Sequence, residues 1–347
     1  MKEIKILGAG VSGLTAAINI SKAGFDVEVF EKEKDVGQRF SGDFQVIENW
    51  VHREDILDII KKMNLDLDFS PKPLDNLMIF GPKGKKFVLT SKHKSGAYIV
   101  QRGPGKGSLD CCLKNQALKS GVKINFNSGV KPEDADIVAT GPNIITCIAS
   151  GINFSTNNQD TEAWIIDDEV VPKAYSYLVI RGGCGTIASV IMSNFNDQQK
   201  YMGGAVDKFK KYLDIELRDS KPFIGHGGFS VTAKKQLGGR LFVGEAGGFQ
   251  DKLFGFGLRY AIESGYYAAR SIIENRDYED VLVKSELVDQ QKSSVVNRFL
   301  YERLGNVGYR FLLNHWASRK DVEGYMRGWY TLPSWKKYSY RLISLLS

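Results

Sequence analysis

Cysteine is scarce. The 347 residues hold four, Cys111, Cys112, Cys147 and Cys184; two are adjacent, and none forms a C-x-x-C pair. This argues against a disulfide framework and a zinc site, and for a reducing compartment. Long apolar runs are also missing: nowhere do about 18 uncharged apolar residues follow one another, so no segment reads as a membrane span. The opening Met1-Lys2-Glu3-Ile4-Lys5-Ile6-Leu7 is too short and too charged for a signal peptide. Repeats and low-complexity stretches are absent. These absences leave a globular chain, expected in the cytoplasm or at most laid on a membrane surface. At this length two lobes are expected rather than one.

Positive charge is concentrated at one end. Residues 281–347 hold 11 Lys/Arg against 5 Asp/Glu, while the other 280 residues hold 36 against 35. The same segment carries 11 of the 39 aromatic residues and three of the five tryptophans. No recognition motif accompanies this basic end, so a nucleic-acid role is not supported. Trp329-Tyr330 and Trp335-Lys336-Lys337-Tyr338 suit a headgroup interface, with Tyr338 to Leu346 as an apolar foot. The alternative is a helical cap that packs its aromatics inward.

What is present is a βαβ pattern. Residues 2–7 alternate as a short buried strand, and Leu14, Ala17 and Ile18 fall at helical spacing within 13–23. Gly24 ends that helix, and Asp26 to Glu31 reads as the next strand. A second helix is expected over His52 to Met63, a hairpin over Leu77 to Thr90, and a helix over Ser108 to Ser120. Strands are expected at Val122 to Phe126, at Ala135 to Thr140, and at Arg240 to Val243 before a helix over Leu258 to Asn275. Residues 160–235 read as strand-rich, and the last 60 as helical and irregular. Gly182-Gly183-Cys184-Gly185 joins two strands without a following helix, so it reads as a hairpin turn.

Gly8-Ala9-Gly10-Val11-Ser12-Gly13 is a G-x-G-x-x-G between strand and helix. Its first glycine permits a tight turn, its second lets backbone approach a pyrophosphate, and its third lets helix and strand pack closely. The pyrophosphate then lies at a helix N-terminus, where free N–H groups favour an anion. Glu31, followed by Lys32, ends the second strand and is placed for ribose hydroxyls, which disfavours the 2′-phosphate of NADP. A second stretch, Arg240 to Gly265, selects FAD over NAD. It delivers Gly244 and Glu245 to a strand end, where a carboxylate can hold a ribityl chain. Gly255 and Gly257 then open a helix at Leu258 whose amides are placed to face the flavin.

That second stretch resembles the G-D-A-A-G-F-x-x-P-x-x-G-x-G-I block of the geranylgeranyl reductase-like flavoproteins, related to aromatic hydroxylases and flavin halogenases. Gln101-Arg102 with Ser108-Leu109-Asp110 looks like the family's arginine-then-aspartate helix start. Arg39-Phe40-Ser41-Gly42-Asp43 looks like its loop near the isoalloxazine, and Gly141 closes the strand that ends in a T-G pair. The resemblance covers about residues 1–280. Three positions depart from it: Glu245 replaces an aspartate, Lys252 a proline, and Tyr175 to Ile180 retains the aromatics of Y-x-W-x-F-P without the F-P ending.

The resemblance implies an α/β fold with a Rossmann-type FAD-binding domain of glutathione-reductase-like type. That domain would comprise residues 1–70, 96–145 and 236–280, with a β-rich substrate domain at 71–95 and 146–235 and a helical region at 281–347. It implies FAD as cofactor and reduction of a carbon–carbon double bond of a polyprenyl lipid. An FAD-dependent monooxygenase acting on an aromatic or lipid substrate is the alternative, and a non-enzymatic FAD-binding protein ranks below both. The donor would be NAD(P)H or a ferredoxin-type protein. Trp164, Tyr175, Tyr177, Phe254 and Phe256 are placed to line an apolar pocket. Tyr175, Tyr177 and His226 are the candidate catalytic residues, although His226 among glycines reads first as a loop residue. No catalytic dyad is evident, as expected where the cofactor carries the chemistry.

Overall fold

The computed structural model describes residues 3–91 and 94–346; Lys2 and the side chain of Leu346 lie outside the described residues. The chain begins β1 (Ile4–Leu7), α1 (Val11–Lys22), β2 (Val27–Phe30), β3 (Phe44–Glu48), α2 (Ile56–Lys62), β4 (Lys72–Leu74) and β5 (Asn76–Phe80). It continues β6 (Lys86–Thr90), β7 (Ala97–Gln101), α3 (Leu109–Lys119), β8 (Lys123–Asn125), β9 (Ile137–Val138), β10 (Cys147–Ser155), β11 (Thr161–Ile165) and β12 (Tyr175–Arg181). Next come β13 (Cys184–Ile191), α4 (Gln198–Leu213), β14 (Arg218–Gly227), β15 (Gln236–Leu237), β16 (Arg240–Phe242) and α5 (Leu258–Ile273). Five helices finish it: α6 (Tyr278–Lys284), α7 (Leu287–Tyr301), α8 (Gly305–Ala317), α9 (Val322–Tyr330) and α10 (Ser334–Leu346).

Three sheets result. The first runs β15-β16-β9-β1-β2-β8, parallel apart from the β15–β16 hairpin. Its apolar strands are buried beneath α1, α3 and α5, as a parallel sheet requires. This order sets the C-terminal ends of β1, β9 and β16 side by side, so residues far apart in sequence share one edge. The second sheet runs β14-β10-β13-β12-β11-β5-β6 and is antiparallel except where β11 meets β5. Alternation divides its faces. Leu178, Ile180 and Ile187 pack with Tyr201, Ala205 and Phe209 of α4, while Trp164, Tyr177, Val179 and Val190 face the rest of the molecule. The third, β3-β7-β4, is small.

Several expectations need correction. The helix expected from His52 starts at Ile56, because the preceding residues are held in a side-chain-bonded turn. Asn49 accepts from the Ile56 N–H at 2.7 Å and donates to Asp55, which caps the helix. The strand-rich reading of 160–235 missed α4, although Tyr201, Ala205 and Phe209 already carried helical spacing. His226 is not in a loop: it pairs with Ile148 inside β14 and its side chain is exposed. Within 71–95, β4 joins the small sheet and only β5 and β6 join the large one. The last segment buries Tyr301, Tyr309, Trp316 and Tyr330 in one cluster with Tyr175, Phe254 and Phe256. Most of its aromatic content therefore serves as the inward-packed cap.

Candidate functional site

The motif glycines divide by what surrounds them. Gly8 has φ +104°, and a Cβ there would lie 2.4 Å from the Ala139 carbonyl oxygen. A Cβ on Gly13 would lie 2.1 Å from the Gly8 carbonyl oxygen. Both positions are closed by the protein itself. Gly10 differs: its φ of −78° suits any residue, and a Cβ there would meet nothing within 4 Å. It caps α1 without any side-chain hydrogen bond, and no acid follows in the first turn. Val11 and Ser12 begin that turn, buried. An uncapped helix start beside open space is what an anionic pyrophosphate needs.

Glu31 stands beside this turn. Its Oε2 accepts the Ala9 N–H at 2.8 Å and its Oε1 accepts the Glu33 N–H at 3.0 Å. Each oxygen keeps a lone pair free for a hydroxyl donor. Lys32 is exposed and pairs with Glu33 at 3.7 Å.

The second half of the cleft comes from the neighbouring strand ends. Glu245 Oε2 accepts from Arg39 Nη2 at 3.1 Å, and its Oε1 accepts the Gly228 N–H at 3.2 Å. A Cβ on Gly141 would lie 3.4 Å from Arg39 Nη1, so Arg39 neighbours both Gly141 and Glu245. Gly244 has φ +55°, packs on Ser12 and donates its N–H to Ser264 Oγ at 2.9 Å. Ser41 and Gly42 lie on the Arg39 loop, which docks on the large sheet. The Ser41 carbonyl accepts from Asn153 at 3.2 Å and the Phe44 N–H donates to Thr186 Oγ1 at 3.0 Å.

Arg102 is spoken for inside the protein. It is buried, grips both oxygens of Asp110 at 2.8 Å, donates to Gln45 at 2.9 Å and lies 4.0 Å from the centre of the Phe40 ring. Burial opposes both charges, but each partner outweighs it, raising the pKa of Arg102 and lowering that of Asp110. Its guanidinium thus meets the Arg39 segment through the Phe40 ring.

Gly255 and Gly257 lie in the loop before α5, which Gly255 brings against the large sheet. A Cβ on Gly255 would lie 3.4 Å from Met192 Cε and 3.9 Å from Cys147 Sγ. Gly257 caps α5 with no side-chain bond and no acid in the first turn, so this helix start is also bare. Leu258 is buried, and Arg259 behind it is fully buried between Glu48, at 2.8 Å, and Glu263, at 3.1 Å. The preceding loop holds Asp251, buried, accepting the Phe254 N–H at 2.6 Å; burial pushes its carboxyl up to about 7. Burial likewise pushes the Cys147 thiol up to about 12.

The five aromatics chosen from the sequence do come together. Trp164 lies 5.0 Å from Tyr175 and 6.2 Å from both Phe254 and Phe256, measured between ring centres. Tyr175 donates its hydroxyl to the Phe254 carbonyl at 2.8 Å. Tyr175, Phe254 and Phe256 are buried, whereas Trp164, Tyr177 and Met192 remain partly exposed. The result is an apolar wall beside Gly255 rather than a loose set of rings. Two surface hollows of about 440 and 380 Å3 lie elsewhere, around Arg270–Lys284 and around Lys94–Arg327. His226 pairs with Ile148 in β14, two residues before the Gly228 N–H that Glu245 accepts. Sequence reasoning missed Gln45, Asn153, Thr186 and Gly228, because each is recruited by a contact between segments far apart in the chain. Among the described residues no cluster of His, Cys, Asp or Glu is arranged to hold a metal.

Comparison with known proteins bears on the fold. Residues 6–52 match the family described as an NAD(P)-binding Rossmann-like domain. No curated protein matches the chain in sequence. Among solved structures, a geranylgeranyl bacteriochlorophyll reductase-like protein from Thermoplasma acidophilum superposes with a TM-score of 0.72 at 19% identity, covering 97% of this chain and 95% of that one. A flavin-dependent brominase follows at 0.66 and 15%, with 100% of both chains covered. The p-nitrophenol 4-monooxygenase of Pseudomonas putida matches at 0.63 and 12%, covering 95% and 97%. The chain has the fold that these proteins share.

Proposed function

We propose that the chain is an FAD-dependent oxidoreductase that reduces carbon–carbon double bonds of a polyprenyl lipid of the geranylgeranyl type. The cleft fits the cofactor on its own geometry. The start of α1 and the open space at Gly10 take the pyrophosphate, Glu31 accepts from the ribose, and Glu245 with Arg39 lies where the ribityl chain would pass. Bound and reduced, FAD would supply a hydride to the substrate. The protein's part is to bind, orient and exclude water, and the bare start of α5 favours negative charge at the flavin's edge.

The observation that carries the choice of substrate is the partly exposed apolar wall of Trp164, Tyr177 and Met192 beside Gly255, with Tyr175, Phe254 and Phe256 packed behind it. A wall without charge favours a hydrocarbon chain over an acidic or polar substrate. NAD(P)H or a ferredoxin-type protein would provide the electrons. Contact with a membrane surface through residues 281–347 would bring the enzyme to such a lipid. Among the described residues no helix is long and apolar enough to cross a membrane.

The test is anaerobic. The FAD-loaded protein is reduced with dithionite and given an unsaturated prenyl lipid, while flavin absorbance and lipid mass are followed. Flavin reoxidation with a gain of two hydrogens in the lipid is the expected result. Silence until oxygen is admitted, followed by turnover, would replace this reading with a monooxygenase. A protein that takes up no FAD would end both.

A further inference from the structure

The final helix, α10, turns an apolar face away from the protein. Its packed side is marked by Lys336, buried, which donates to Ser293 Oγ of α7 at 2.8 Å and to the Trp329 carbonyl. Tyr340 and Ile343, partly buried, share that side at about 100° per residue. Trp335, Tyr338, Leu342 and Leu345 fall within an arc of about 80° on the opposite side. They are 56%, 65%, 46% and 82% exposed. Exposed Lys337 and Arg341 run along one edge of this stripe, and no Asp or Glu follows Glu323 in the chain.

Each part of this arrangement restricts what covers the stripe. Scattered apolar side chains on a surface are ordinary, but four aligned on the outward face of one helix are not. Trp and Tyr carry apolar rings with a polar atom, which suits the boundary between headgroups and acyl chains. The flanking cations, with no carboxylate near them in sequence, complement anionic headgroups. Thirteen residues make a helix of about 20 Å, enough to lie in such a boundary and too short to cross it.

We propose that α10 lies in the plane of an anionic lipid surface, with Trp335, Tyr338, Leu342 and Leu345 sunk among the headgroups and Lys337 and Arg341 paired with them. This rests on the membrane-contact part of the reading above and narrows it to one helix face. It is independent of the reaction, because vesicle binding needs no turnover.

The test is flotation of the full, FAD-loaded chain with phosphatidylcholine vesicles, with and without roughly one third phosphatidylglycerol, at low and at about 0.5 M salt. The wild type floats with the anionic vesicles at low salt and much less with the neutral ones. The Leu342→Gln/Leu345→Gln pair lowers that binding by about tenfold or more. The Lys337→Gln/Arg341→Gln pair removes the preference for anionic lipid and its salt dependence. All four side chains are exposed, so unchanged melting temperatures establish that both variants are folded. A wild type that floats with neither vesicle overturns the proposal, as does a leucine variant that binds as well as wild type. A wild-type dimer that the leucine variant makes monomeric, with no vesicle binding, would assign the stripe to a second copy of the chain.

Discussion

Gly10 and Gly13 stand three positions apart in one motif, yet a side chain at each would meet different things. At Gly13 it would meet the Gly8 carbonyl at 2.1 Å; at Gly10 it would meet only the space proposed for the pyrophosphate. Gly10→Ser should leave the melting temperature of the FAD-free protein unchanged, since serine is a good helix cap. It should weaken FAD binding by about tenfold or more, as read by flavin fluorescence titration. Gly13→Ala should instead lower the melting temperature of the FAD-free protein, through the clash of its own Cβ. Equal behaviour of the two variants would remove the reading of Gly10 as the ligand's glycine. Asp251 supports a different prediction. Its carboxyl is raised from 3.8 to about 7, so its contribution to stability is full below the unfolded value and is lost as pH rises through the folded one. Asp251→Asn keeps an acceptor for the Phe254 N–H. The melting temperature of this variant relative to wild type should therefore climb by several degrees between about pH 4 and pH 7 and then level off.

At the scale of elements, the cleft depends on how closely α1 and α5 cross. A Cβ on Gly265 would lie 2.3 Å from the Ser12 carbonyl oxygen, and one on Gly244 would lie 2.6 Å from Ser12 Oγ. The two helices touch through backbone at Ser12, the second residue of α1. Gly265→Ala must part them, at a cost of about 1–3 kcal/mol. It should also weaken FAD binding, because Ser12 shifts with its helix; an unaltered affinity would show that the crossing does not position the cradle. Elements were legible where periodicity and punctuation agreed. The strand at Arg240–Phe242 and the helix opening at Leu258 both lie where the sequence places them. Helix α4 went unread because two glycines, 203 and 204, interrupt a pattern whose buried stripe holds only Tyr201, Ala205 and Phe209. The start of α2 was misplaced because side-chain bonds from Asn49 and Asp55 fix it, and periodicity does not report those.

At the scale of the whole molecule, the C-terminal helices complete the core of the other lobes. Trp316 is 2% exposed and lies 6.4 Å from Phe254 and 5.5 Å from Trp329 between ring centres. Phe254 in turn contacts Trp164 and Tyr175, so the cap reaches the proposed substrate wall through one side chain. Trp316→Ala should cost about 3–5 kcal/mol and lower a single unfolding transition that also releases the flavin. A separate early transition, with flavin release unmoved, would mean that the cap folds apart from the rest.

The dinucleotide cradle was determined by sequence alone, because its requirements are local: glycines at fixed offsets, a strand before, a helix after, and Glu31 at the end of the next strand. Glu245 could be named from the sequence, but its partners could not. Arg39 and Gly228 reach it from segments far apart in the chain, joined only by the tertiary fold. The partners of Arg102 were fixed in the same way, with Asp110 and Gln45 closing around it. The aromatic end carried one composition and two fates. Tertiary packing buried Trp316 and Tyr330 and left Trp335 and Tyr338 uncovered by the protein, since a helix has two sides and only its neighbours decide which one is covered.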